Sequence, residues 1–182
     1  MGTTSAQIGR IEAVALLEAD RAEILALCTR LSSEDMVRPG LGGGGWSPVD
    51  LLGHLESWEE HALRALDAWS RGEPAPIDRA LRTEGLTAVN RTEVERRAGR
   101  TGATALRSAA TTHASLLTRL AAITDEAWAA AATPKGRRPL GHRLGQILAG
   151  TRDPFRHDEA HLGDLSGFVD ARAPSAGDLR RG

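Results

Sequence analysis

The apolar residues of this chain recur at three- and four-residue steps through four long stretches, and that period limits what it can fold into more than any other feature. Between about Ala6 and Leu31, the residues Ile8, Ile11, Val14, Leu17, Ile24, Leu27, Cys28 and Leu31 fall on one helical face. A second stretch carries Leu51, Leu55, Trp58, Ala62, Leu66 and Trp69. Its start is written out in full. Ser47 can cap it, Pro48 suits the first helical position, Asp50 stands at the third, and Trp46 and Leu51 have the spacing of a hydrophobic staple. The end is expected near Arg71-Gly72, before Pro74 and Pro76. A third stretch, from Leu86 to Ile123, is expected to split at Gly99 and Gly102 into helices near 84–98 and 103–123. The fourth is expected to run from about Gly141 to Leu165, kinked at Pro154 with Gly150 four residues back to yield.

No alternating β-branched run, Asn-Gly hairpin or repeat of 20–50 residues is present. The fold class that follows is all-α, an antiparallel four-helix bundle over residues 1–168, with 169–182 as a flexible tail.

Composition narrows the partners. A net charge of −1 gives no basis for a nucleic acid or a membrane surface as partner. No apolar run has transmembrane length, and Met1-Gly2-Thr3-Thr4-Ser5 lacks the features of a secretory leader. Cys28 is the one cysteine, so no internal disulfide can form, and its neighbours Ile24, Leu25, Leu27 and Leu31 mark it as a small buried hydrophobe. A cytoplasmic location is the expectation. Lys135 is the one lysine among 23 basic residues, a bias of codon usage in a high-GC genome that says nothing about the fold.

The chemistry-bearing residues are histidines. His157 and His161 stand four apart, which on a helix aims both imidazoles the same way. Alone the pattern also fits two solvent-facing histidines. Their place beside Phe155, Leu162 and Leu165 puts them at the border of the core. His54, from the second helix, would complete a triad with open positions, the arrangement of catalytic metal sites. His61 is read as a supporting or solvated group, and His113 and His142 as structural or exposed. Asp158 and Glu159 are assigned to surface charge. Trp46, Trp58 and Trp69 are assigned to the core. The arginines at 91, 96, 97, 100 and 107 could hold a carboxylate or phosphate, but a solvated helix face is the simpler reading. Gly42–Gly45 is no phosphate loop, since no lysine follows and no strand precedes it.

Two segments carry a resemblance: Trp46-Ser47-Pro48-Val49-Asp50-Leu51-Leu52-Gly53-His54-Leu55, and Ile147-Leu148-Ala149-Gly150-Thr151 leading to His157-x-x-x-His161. With Val89-Asn90, Leu106, Ser108, Leu116-Leu117, Leu120 and Asp125-Glu126 between them, the chain resembles the DinB-like superfamily of four-helix bundles over roughly 10–168, particularly the ClbS/DfsB-like branch. The resemblance implies a divalent metal, often zinc or nickel, on His54, His157 and His161. Relatives include thiol S-transferases that use bacillithiol, mycothiol or glutathione, a mycothiol-dependent maleylpyruvate isomerase, and self-resistance proteins that disarm reactive natural products. Pro154 departs from the usual pattern.

The expectation is therefore an enzyme that acts on a small electrophilic substrate by hydrolysis or thiol transfer, in detoxification or self-resistance. A divalent metal and a low-molecular-weight thiol would be its cofactors. The substrate pocket would be lined by Trp58 and Phe155. The alternatives are a resistance protein that sequesters its ligand without chemistry, a metal-independent ClbS-like ring-opening hydrolase, and a purely structural bundle. Bundles of this kind often pair, and Trp69 or the first helix could supply the interface of a homodimer.

Overall fold

The helical period survives in the computed structural model, which describes residues 8–150 and 153–172. Nine α-helices follow in order among these residues: α1 Arg10–Cys28, α2 Ser33–Met36, α3 Pro48–Ser70, α4 Pro76–Thr83, α5 Leu86–Glu95, α6 Gly102–Ala121, α7 Asp125–Ala129, α8 Leu140–Ile147 and α9 Glu159–Asp170. The β pairing among them is one isolated bridge, Ala131 to Pro139. None of these helices is long and apolar enough to cross a membrane. The architecture is the all-α bundle expected, with α1, α3 and α6 as three long members and α8 and α9 sharing the fourth place.

Helix α3 is the axis of the molecule. It packs against α6 and also meets α4, α5 and α8. Of its 23 residues, 17 are buried, so it is enclosed on nearly all sides rather than along one stripe. Its start is as expected. The Ser47 hydroxyl accepts the Asp50 N–H at 3.3 Å and the Asp50 carboxylate accepts the Ser47 N–H at 2.8 Å, which satisfies two of the amides a helix leaves open. The expected apolar stripe Leu51, Leu55, Trp58, Ala62, Leu66 and Trp69 is buried throughout. Trp69 is 6% exposed and lies beneath the Arg143 guanidinium.

Three short helices, α2, α4 and α7, lie outside the four expected stretches. Pro76 does more than follow the end of α3: it occupies the first turn of α4 with Asp78, where proline and an acid are both favoured. Thr124 caps α7 by accepting the Ala127 N–H at 3.2 Å. Helix α1 starts at Arg10, and its buried line is Ala13, Leu17, Asp20, Arg21, Ile24 and Cys28, whereas Ile11 is 73% exposed. Cys28 is a buried hydrophobe as expected, and burial raises its thiol to about 12. Helix α9 runs to Asp170 and buries Phe168 and Val169. The start expected at Ala6, Thr151 in the fourth stripe and the tail beyond Arg172 lie outside the described residues.

The fourth helix is not the continuous, kinked rod expected. It stops at Ile147, and the chain turns through Pro154 before α9 begins at Glu159. The cause is a glycine face on α8. A side chain at Gly141 would collide with the Trp128 indole, and a Cβ at Gly145 would stand 2.8 Å from Pro154 Cβ and 3.0 Å from Phe155 Cε2. Trp128 and Phe155 stack with ring centroids 5.7 Å apart. Phe155 holds φ at 61°, a left-handed conformation costing about 1–3 kcal/mol. Its ring is 1% exposed, and burial of about 1.5–3 kcal/mol offsets that strain. The Gly150 N–H donates to the Asp153 carbonyl at 2.9 Å, and a side chain there would meet the Arg156 carbonyl.

The same substitution at two glycines separates these roles. Gly145→Ala forces Pro154 and Phe155 outward and is expected to destabilise by about 1–3 kcal/mol. Gly163→Ala on α9, where nothing lies within 4 Å, is expected to stabilise by about 0.5–1 kcal/mol, because alanine loses less backbone entropy in a helix. Urea denaturation midpoints check both, and equal effects at the two positions would contradict the packing described.

Candidate metal centre

His54 is carried by the second turn of α3, His157 by the turn before α9, and His161 by the first turn of α9. The pair four apart therefore does not share an unbroken helix. The His161 N–H instead donates to the Asp158 carbonyl at 3.0 Å in a tighter turn. The imidazoles converge nonetheless. Ring centroids are 4.8 Å apart for His54 and His157, 5.2 Å for His54 and His161, and 5.3 Å for His157 and His161. His54 Nε2 and His157 Nε2 are separated by 3.1 Å, and one nitrogen from each of the three lies within 4.8 Å of the others.

The 3.1 Å separation fits a shared cation. Two nitrogens each about 2.0–2.1 Å from one tetrahedral zinc stand roughly 3.3 Å apart. The donor set also has the right charge. Burial, then repulsion by His157 and His161, pushes the His54 pKa down to about 2. Burial, then His161 and Arg21, pushes His157 down to about 3. Burial lowers His161 as well, against the pull of Asp158 and Asp164. All three are neutral near pH 7, the form in which imidazole ligates metal. The cluster could thus hold one metal ion. His54 Nδ1 is buried without a hydrogen-bond partner, where a ligand histidine usually donates to a carboxylate or carbonyl. Ring packing orients His54 instead: Trp46 lies 4.9 Å from it, centroid to centroid, and Trp58 6.5 Å.

Behind the triad lies a charged core that the sequence did not reveal. Asp158, assigned to the surface, is buried, and the Arg21 Nε donates to it at 2.5 Å. The same guanidinium reaches Glu59 at 3.2 Å and the Ala109 carbonyl at 3.4 Å. Glu59 in turn contacts His113 Nδ1 at 2.6 Å. Arg21 thereby joins α1, α3, α6 and the turn of His157. A signal was present: the α1 stripe skips a full turn between Leu17 and Ile24, and Asp20 and Arg21 fill that gap.

The arginine-rich segment is also not a solvated face throughout. Arg97 is 4% exposed and pairs with Glu93 at 2.6 Å and Glu60 at 3.0 Å. Arg100 holds Glu56 at 2.7 Å, and Arg96 bridges Glu60 and Glu93. Arg91 reaches only Glu95, at 4.0 Å on the surface, and Arg107 is exposed. His61 is buried 3.6 Å from Glu93 rather than solvated, and His142 is exposed.

A cavity of about 730 Å³ opens onto the triad. Trp58 lines it, as expected, beside Asn90, Asp78, Arg143 and Asp164. Phe155 does not line it: its ring faces Trp128 in the core and holds the His157 turn from behind.

Two measurements probe this electrostatic arrangement. Arg21→Met leaves two buried carboxylates without their cation and is expected to cost about 3–5 kcal/mol. Arg119→Met removes a half-exposed pair with Asp67 and is expected to cost under about 1 kcal/mol. The metal-free protein is expected to lose stability as pH falls below 6.5. There the unfolded chain takes up protons that His157 refuses until about pH 3 and His54 until about pH 2, and that burial also disfavours on His161. Asp20 acts oppositely between about pH 6 and 3.8, because burial raises its pKa to about 6. One carboxylate offsets only part of three histidines, so a denaturation midpoint flat from pH 7 to 5 would contradict the neutral triad.

The comparisons with known proteins agree with this frame. No curated protein matches the chain. The crystal structure of an uncharacterised protein from Escherichia coli UTI89 superimposes with a TM-score of 0.77 at 11% identity, covering 96% of this chain and 99% of that one, a likeness of fold alone. The sequence matches the family described as the DinB superfamily over residues 16–164. With a helical bundle that brings His54, His157 and His161 to one point, this chain belongs to the DinB superfamily.

Proposed function

We propose that the protein is a metal-dependent enzyme in which His54, His157 and His161 hold one divalent cation, zinc or nickel, at the floor of the cavity. The observation that carries this reading is the convergence of three neutral imidazoles, two of their Nε2 atoms 3.1 Å apart, at the edge of a space large enough for a small organic substrate. A cation with three protein ligands keeps an open position and supplies Lewis acidity, which lowers the pKa of a bound water or thiol. The substrate class is a small electrophile, and the reaction is hydrolysis or transfer to a low-molecular-weight thiol, in a detoxifying role.

The chain's own residues would do three things. The histidines present neutral nitrogens without having to shed protons near pH 7. Trp46 and Trp58 hold the His54 ring and exclude water from its far side. Asp164, three residues after His161, is the wall carboxylate that no arginine pairs with among the described residues. It would be the carboxylate available there to accept a proton during the reaction.

Protein purified without a histidine tag is expected to carry about one zinc or nickel ion per chain by elemental analysis. His157→Ala and His54→Ala are expected to abolish stoichiometric binding while the bundle remains folded by circular dichroism. Metal at a hundredfold excess over its Kd should stabilise the wild type by about 2.7 kcal/mol and leave both variants unmoved. Wild-type protein that neither carries metal nor is stabilised by added zinc or nickel would overturn the proposal.

A further inference from the structure

The cavity wall away from α9 offers hydrogen-bond donors, and this defines what it can hold. The Trp58 indole N–H contacts Asn90 at 3.1 Å. An indole only donates, so the atom facing it must be the Asn90 Oδ1, which leaves the Asn90 NH₂ as the side chain's remaining group. Gln146, at the mouth, is committed likewise: Arg138 Nη1 donates to its Oε1 at 3.4 Å. Arg143 uses Nη2 on Asp78, and its guanidinium lies 5.6 Å from the Trp69 ring centroid. Its Nε and Nη1 have no partner among the described residues. The guanidinium is thus held in place by an acid and an aromatic ring, with one donor edge uncommitted. Ile77, Leu81, Leu86 and Ile147 make the intervening surface apolar.

We propose that this cavity selects small organic acids. The apolar body lies among Ile77, Leu81 and Ile147. The carboxylate is received by the uncommitted edge of Arg143, a planar acceptor meeting a planar donor. Orientation follows from charge. In the metal-free protein, Asp164 on the α9 side beside His161 repels the acid group and Arg143 holds it at the far end, so the opposite end of the molecule turns toward the three histidines. The arginines at 96, 97 and 100 cannot serve, because Glu56, Glu60 and Glu93 already occupy them. The inference rests on the reading of this cavity as the substrate site, but it requires no metal.

The test uses the full chain treated with chelator, and a series of phenylalkanoic acids from phenylacetate to phenylbutyrate beside their primary amides. Binding is read by calorimetry or ligand-observed NMR. At least one acid is expected to bind about tenfold more tightly than its amide. Arg143→Met is expected to bring acid and amide to parity. Asp78→Asn, which releases the guanidinium, is expected to tighten acid binding several-fold and leave the amide unchanged, a gain that a folding defect cannot mimic. Acids that bind no better than amides across the series would overturn the inference, as would an Arg143→Met variant that keeps the preference. A preference appearing only after zinc is added would also overturn it, since the ion and not the wall would then hold the carboxylate. Acid selectivity in a protein that fails to bind metal would sustain this inference while refuting the metal-dependent reading.

Discussion

A single buried guanidinium ties the molecule together. Arg21, 1% exposed, reaches Asp158 in the turn of His157, Glu59 on α3 and the Ala109 carbonyl on α6. A buried cation is costly to dehydrate, so it persists only where carboxylates surround it. That requirement draws four segments to one place. Two consequences reach the metal centre. Asp158 is fixed, so the residue before it, His157, is fixed. The positive charge nearby also helps keep His157 neutral.

The other half of the positioning is apolar. Gly141 and Gly145 let Trp128, Pro154 and Phe155 lie directly on α8, and the stacked rings close the turn from behind. The turn that carries His157 is therefore fixed by the Arg21–Asp158 ion pair just after it and by the buried Phe155 ring two residues before it. His54 has no comparable hydrogen bond and depends on the rings of Trp46 and Trp58. Donors held by packing suit a site that must stay poorly hydrated and uncharged while it opens onto a cavity.

Much of this was legible in the sequence, for a physical reason. Helix α3 announces itself through Ser47, Pro48, Asp50 and its apolar stripe, since capping and burial are both local patterns. The histidines were legible as a set. His157 and His161 converge across the single helical turn that leads into α9, where Asp158 is helical and the Ala160 N–H donates to the Arg156 carbonyl at 3.2 Å. The break was hidden because its cause is tertiary: Pro154 looks like a kink until Trp128, distant in sequence, is seen to need the glycine face of α8. The buried charges of Asp158, Arg97 and Glu59 were illegible for a related reason. Periodicity ranks positions by apolarity, and a satisfied ion pair in the core reads as a gap. Arg143 escaped attention because it lies outside the arginine-rich segment, and only the fold brings it to the cavity.

The central claim is that three imidazoles from two remote segments share one cation. Anomalous diffraction from crystals of metal-loaded protein, collected on both sides of the metal's absorption edge, tests it most directly. The account predicts a single peak per chain, about 2.0–2.1 Å from one nitrogen each of His54, His157 and His161, facing the cavity that Trp58 lines. A peak bound elsewhere, or one that touches His157 and His161 while the His54 ring stays beyond bonding reach, would contradict it.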